Sequence, residues 1–207
     1  MTILPPFFLL ILTFSSYTSL ALNATDFIRT NCQITLYPQL CYHSLAGYAN
    51  AVQQDPARLA RVAVALSLSR AKSMTLYVAN LSRQADYTAD PRAVSALHDC
   101  FTLLGDAVDQ IRGSVKQMRR LKSGAGEELR FQLSNVQTWM SAALTNEDTC
   151  VDGFEDVEDG ALKSDVYDRT LKVKEVTSNA LALGETSFVA KVWSHEQTTP
   201  FMGELKP

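Results

Sequence analysis

Between Glu147 and Asp159, seven of thirteen residues are carboxylates, no basic side chain interrupts them, and Cys150 sits near the start. Carboxylates at that density could ligate calcium, serve as general acid and base, or face a partner protein. The stretch Asp148-Thr-Cys-Val-Asp152-Gly153 carries glycine at the sixth position, as a calcium loop does. Its third position, however, is Cys150 where an oxygen ligand belongs, and its twelfth is Asp159 rather than glutamate. Catalytic patterns fare no better. Ser69-Arg-Ala-Lys72 matches S-x-x-K, but the S-D-N and K-T-G companions are missing, and there is no G-x-S-x-G. His43, His98 and His195 are scattered, and His98 beside Asp99 reads as a surface pair rather than a dyad. Paired carboxylates can hydrolyse a glycoside only across a cleft of set width. These patterns argue against an enzyme and call for no metal or cofactor.

The chain opens with an apolar run, Phe7 to Thr13, followed by Ser19-Leu20-Ala21. That run is too short to cross about 30 Å of hydrocarbon, so residues 1–21 read as a secretory signal peptide, although no Lys or Arg precedes it. No later segment reads as a membrane span. The expectation is a soluble exported protein with two N-glycosylation candidates, Asn23 and Asn80. A net charge of −3 without interleaved arginines and aromatics excludes a nucleic-acid binder. Four cysteines, Cys32, Cys41, Cys100 and Cys150, allow three pairings in an oxidising compartment. Their separations of 9, 59 and 50 residues fit none of the usual zinc patterns.

The elements that position these groups are helical. Over residues 91–122, Val94, Leu97, Phe101, Leu104, Val108, Ile111, Val115 and Met118 recur at steps of three and four, a seam that packs helix on helix. Residues 126–150 repeat the rhythm with Leu129, Leu133, Val136, Met140 and Ala143. A segment over 56–87 carries a small-residue seam, Ala60, Val64, Ser67, Ala71, Met74, Val78 and Leu81. A last one, about 165–191, shows Val173, Val176, Ala180, Leu183, Ser187 and Ala190. Asp55-Pro56 and Asp90-Pro91 place an N-cap acid before a proline at the first helical position. Short connections then predict an all-α, up-down-up-down four-helix bundle over residues 55–193. A helical hairpin over 22–54 precedes it, and a tail without periodicity, 194–207, follows. Gly105 and Gly113 either mark close helix contacts or are simply tolerated.

The turn between the second and third long helices centres on Ala125, and Cys100 and Cys150 each lie 25 residues from it. Antiparallel helices rise equally per residue, so these two cysteines share one height and form the natural bridge. Cys32 and Cys41, flanking Thr35-Leu36-Tyr37-Pro38, then pair. The same fold-back brings Asp99, Thr102 and Asp106 near Asp148, Thr149 and Asp152, gathering acids at one pole. Carboxylates at a helix C-terminus oppose the macrodipole, which points to function there. A solvated loop over 152–159 accounts for them equally well.

Four blocks anchored on the cysteines carry a likeness. They are Cys32 through Tyr37-Pro38-x-x-Cys41-x-x-Ser44-Leu45; Ala96-Leu-His-Asp-Cys100 with Gly105-Asp-Ala-Val-Asp109; Val136-Gln-Thr-Trp139 through Thr145-Asn-Glu-Asp-Thr-Cys150-Val-Asp-Gly-Phe-Glu155; and Thr177-Ser-Asn-Ala-Leu-Ala-Leu183. Together they resemble the plant invertase/pectin methylesterase inhibitor domain over nearly the whole chain after the leader. The resemblance implies a secreted apoplastic protein, a bundle with an N-terminal hairpin, and disulfides first-to-second and third-to-fourth, in agreement with the turn-centred pairing. It also implies a free-standing inhibitor, since the chain ends at 207 without room for a catalytic domain. No Pro-Lys-Phe of the invertase-directed branch occurs, so the wording is that of the pectin methylesterase branch. Carried over residue by residue, the enzyme-binding positions are Asp106, Asp109, Thr145, Asn146, Thr149 and Asp152, while Thr102 stands where relatives often carry an acid. An acid invertase inhibitor is the same-fold alternative. A bundle that binds wall pectin without inhibiting anything is the alternative of another class.

Overall fold

A computed structural model describes residues 24–84, 90–121 and 127–196, with side chains as far as residue 187. The leader 1–21, the sequon at Asn23, the turn centre at Ala125, the side chain of Ala190 and residues 197–207 lie outside the described residues. Helix α1 spans residues 24–32. It is followed by α2 (Pro38–Leu45), a 3-10 turn (Ala46–Tyr48), α3 (Ala49–Val52), α4 (Pro56–Gln84), α5 (Pro91–Arg120), α6 (Glu127–Asp152) and α7 (Ala161–Glu196). The four long helices close into a ring: α4 packs on α5, α5 on α6, α6 on α7, and α7 back on α4. The α4–α7 side therefore lies opposite the α5–α6 side.

The helix starts form as their sequences dictate. Asp55 Oδ1 accepts from the backbone N–H of Ala57 at 2.8 Å and Arg58 at 3.2 Å. Asp90 Oδ1 accepts from Arg92 at 3.1 Å and Ala93 at 3.0 Å. Each cap satisfies two of the orphan donors that a helix start leaves open. Gln53 and Gln54 adopt positive φ (49° and 60°), the left-handed turn that ends α3 and redirects the chain into α4.

Most predicted seam positions are buried, joined by Leu59, Ala63, Ala96 and Ala107 from outside the seams, while Leu81, Val94 and Val115 are only partly buried. Phe101 is 42% exposed; Cys100, one residue earlier and equally in step with Leu97 and Leu104, takes the inward position. Helix α7 begins at Ala161 rather than 165 and runs through Glu196, past the predicted end and into residues assigned to the tail. The two predicted glycines differ. A Cβ on Gly113 would come within 3.2 Å of the Trp139 ring, so this glycine admits the indole between α5 and α6. Gly105 faces open space.

The N-terminal hairpin is tied in three ways. Cys32 and Cys41 are bridged. Arg29 lies 3.9 Å over the Tyr42 ring and donates to its hydroxyl at 2.7 Å. The Asn179 side chain from α7 clamps the Tyr37 backbone, accepting from its N–H at 3.1 Å and donating to its carbonyl at 3.0 Å. A single amide thus supplies the acceptor for the Tyr37 N–H and a second donor to its carbonyl, which also accepts from the Cys41 N–H at 2.9 Å. Among the described residues no helix is long and apolar enough to cross a membrane.

Candidate functional site

Cys100 and Cys150 are joined, with their Cα atoms 4.4 Å apart, at the pole where α5 begins and α6 ends. This bridge holds the two helices side by side, and Asn146 Nδ2 donates to Gln110 Oε1 at 3.1 Å as a second cross-tie. Because Sγ of Cys150 is consumed in the disulfide, the calcium-loop reading loses its third ligand position outright. Among the described residues, no group of three or more His, Cys, Asp or Glu is placed to hold a metal ion. His98 Nδ1 lies 3.6 Å from Asp99 with both side chains in solvent, a surface pair.

Helix geometry sorts the candidate binding residues. On α5, Thr102, Asp106 and Asp109 follow i, i+4, i+7 spacing, and on α6, Thr145, Thr149 and Asp152 repeat it. At about 100° per residue each triplet stays within roughly 60° of arc, so it forms one ridge. All six side chains are exposed, whereas Asn146 is half-buried and points across to α5. The threonine hydroxyls are spent on their own helix: Thr102 donates to the His98 carbonyl at 3.2 Å, Thr145 to Ser141 at 3.1 Å and Thr149 to Thr145 at 2.9 Å. Their oxygens therefore face outward as acceptors. Asp109 is hydrogen-bonded by Arg112 on the same helix, while Asp106 has no ion-pair partner among the described residues. The two ridges make a rigid, acceptor-rich strip with carboxylates at its edges. Such a strip can bind, and nothing on it pairs a nucleophile with a base.

The remaining acids of the run are not part of this strip. Asp148 turns toward α7, where Lys174 binds it, instead of joining the acids facing α5. That contact raises the Lys174 pKa above the ordinary lysine value, with smaller contributions from Tyr37 and Asp152. In the connection after α6, Phe154 and Val157 are buried and anchor the loop, leaving Glu155, Asp156, Glu158 and Asp159 in solvent. Lys163 Nζ gathers the loop, donating to the carbonyls of Glu155 and Val157 at 2.9 Å each and pairing with Asp159 at 3.1 Å.

Glu147 is the residue that sequence reasoning passed over. It is 0% exposed, on the inward side of α6 between Ala143 and Cys150. Thr177 donates to its Oε1 at 2.9 Å, and Ser67 lies 2.9 Å from the Thr177 hydroxyl. With the Thr177 proton committed to Glu147, Ser67 donates in turn, so α4, α7 and α6 are strung together by one polar chain. Among the described residues Glu147 Oε2 has no hydrogen-bond partner. Burial pushes its pKa up to about 8, against the hydrogen bond from Thr177 and the charge of Lys174, which pull it down. A signal for this placement exists in the sequence: the α6 seam continued in steps of four and three from Ala143 reaches Glu147 and Cys150.

A sequence profile described as "Plant invertase/pectin methylesterase inhibitor" matches residues 26–183. Among curated proteins, the chain is 42% identical over 176 residues to Pectinesterase inhibitor 9 of Arabidopsis thaliana, covering 84% of this chain and 86% of that one. It is 40% identical over 172 residues to a 21 kDa protein of Daucus carota, covering 83% and 88%. Pectinesterase inhibitor 11 of Arabidopsis thaliana is 41% identical over 163 residues, covering 78% and 80%. Among solved structures, a mutant form of a pectin methylesterase inhibitor from Arabidopsis superposes with a TM-score of 0.60 at 19% identity. That superposition covers 74% of this chain and 92% of that one, and supports the fold. With both disulfides, the helical ring and the profile match in agreement, the chain belongs to the plant invertase/pectin methylesterase inhibitor family.

Proposed function

We propose that this protein is a secreted inhibitor of plant pectin methylesterase, acting in the wall by a non-covalent complex that occludes the pectin-binding cleft. The observation that carries the reading is the double ridge on α5 and α6, held in register by the Cys100–Cys150 bridge. An enzyme that accepts a uronate polymer presents donors and positive potential in its cleft. A strip of threonine acceptors edged by Asp106, Asp109 and Asp152 complements such a cleft, and its charge steers association. The names of the relatives at about 40% identity support this target over acid invertase.

Titration of the purified protein into separate methylesterase and acid invertase assays tests the target. The expected result is loss of methylesterase activity with invertase untouched; full methylesterase activity at saturating protein overturns the proposal. The surface is tested by the triple variant Asp106→Ala, Thr149→Ala, Asp152→Ala. Its inhibition should weaken at least tenfold, about 1.4 kcal/mol or more of binding. Asn80, exposed near the end of α4 where its side-chain oxygen accepts from Arg83, is the glycosylation candidate within the described residues.

A further inference from the structure

On the side of the bundle away from α5 and α6, a groove of about 440 Å³ opens between α2, α4 and α7. Its polar lining is Ser44, Arg70, Ser73, Tyr77, Arg169 and Lys172, over a floor that includes Met74 and Val173. Arg169 is pre-set for contact: its guanidinium lies 4.4 Å over the Tyr77 ring, and its Nε donates to the two Asp165 oxygens at 2.8 and 3.0 Å. Tyr77 donates to the same carboxylate. Arg70 from α4 and Lys172 from α7 have no hydrogen-bond or ion-pair partner among the described residues. Three cations therefore face one groove with a single carboxylate in contact with them, in a protein whose net charge is −3.

We infer that this groove is a second binding site, for a carboxylated sugar chain, a de-esterified uronate segment. Arginine and lysine recognise the carboxylates, the hydroxyls of Ser44 and Ser73 suit sugar hydroxyls, and the apolar floor takes the ring faces. The volume lies in the range of sites for small ligands, enough for a short segment of chain. The choice of a uronate rests on the proposed function, because a methylesterase turns neutral ester groups into these carboxylates. The site lies opposite the α5–α6 strip, so polymer and enzyme are held at once, and the inhibitor concentrates where de-esterification has already occurred.

The test is direct binding of a fluorescent, fully de-esterified oligogalacturonide to the intact protein, with the methyl-esterified oligomer and polyglutamate of equal charge as controls. The de-esterified oligomer should bind at least about tenfold tighter than either control. Arg70→Glu combined with Lys172→Glu should weaken it by a similar factor while inhibiting methylesterase like the parent. The triple α5–α6 variant should bind it like the parent. Equal binding by the Arg70/Lys172 variant overturns the site, equal binding of the esterified oligomer overturns carboxylate recognition, and equal binding of polyglutamate reduces it to non-specific attraction. If the protein binds the oligomer but inhibits no methylesterase, the proposed function fails and the groove stands.

Discussion

Glu147 and Asp152 lie five residues apart on α6 and differ by one methylene, yet they inhabit opposite environments. Five residues turn a helix through about 500°, leaving the two side chains some 140° apart. Glu147 is enclosed by the bundle, with one oxygen on Thr177 and the other unpartnered. Asp152 stands in solvent at the end of the ridge. The inner carboxyl therefore bears on stability through its protonation, and in the proposed complex the outer one would bear on association through its charge. A run of acids is one feature on paper and two in space.

The largest expected effect separates the two by pH. The folded-state pKa of Glu147, about 8, exceeds the ordinary value of 4.5, so the native protein binds the extra proton. Its stabilising contribution is fully present below about pH 4.5 and is lost as pH rises through about 8. At 1.36 kcal/mol per unit, the loss across that window is at most roughly 5 kcal/mol. Urea unfolding at pH 5 and pH 8 should show the parent losing stability, with Glu147→Gln largely free of that slope. Equal slopes in both proteins would place Glu147 outside the titrating set. Thr177→Val should lower stability by about 1–3 kcal/mol, since it leaves a buried carboxyl without its donor.

Next in size is the bridge on which inner and outer faces meet. Replacing Cys100 and Cys150 together by serine opens a loop of 50 residues, worth about 4 kcal/mol in the chain-entropy account. Denaturant midpoints of variant and parent check this directly. Inhibition should fall as well, because the two ridges lose their common register, and an unchanged inhibition constant would mean that one helix suffices.

A smaller effect comes from the glycines. Gly105→Ala fills open space and gains helix propensity, up to about 1 kcal/mol, whereas Gly113→Ala forces the Trp139 ring to shift and should forfeit that gain. Smallest for stability are the outer acids. The Asp106, Thr149 and Asp152 substitutions should each change unfolding by no more than about 0.5 kcal/mol. Association of the parent with enzyme should instead weaken as salt is raised, and the triple variant should show less of that dependence. A large loss of stability in that triple variant would show that the strip is structural.

Much of the fold was legible because periodicity and punctuation are local. The α5 and α6 seams, the Asp-Pro caps and the cysteines equidistant from a turn need only helix geometry to interpret. The failures are equally local in cause. Phe101 and Cys100 fit the same seam, and only the bridge to Cys150 decides which turns inward. The α6 seam stopped short at Ala143 because the next position in step, Glu147, is charged.

The sequence alone determined that the chain forms four long helices, their order, the two Asp-Pro caps and the family, but not where α7 begins and ends. What it determined follows from residues close in the chain or from blocks anchored on the cysteines. Only tertiary structure assigned the acids. Glu147 meets Thr177 and Asp148 meets Lys174, both on α7, while Asp106 and Asp152 are left to solvent. Helical phase says which residues share a face, and the neighbouring helices decide what that face meets. The groove on the far side has the same origin: Ser44, Arg70 and Lys172 come from three helices that nothing in the chain order places together.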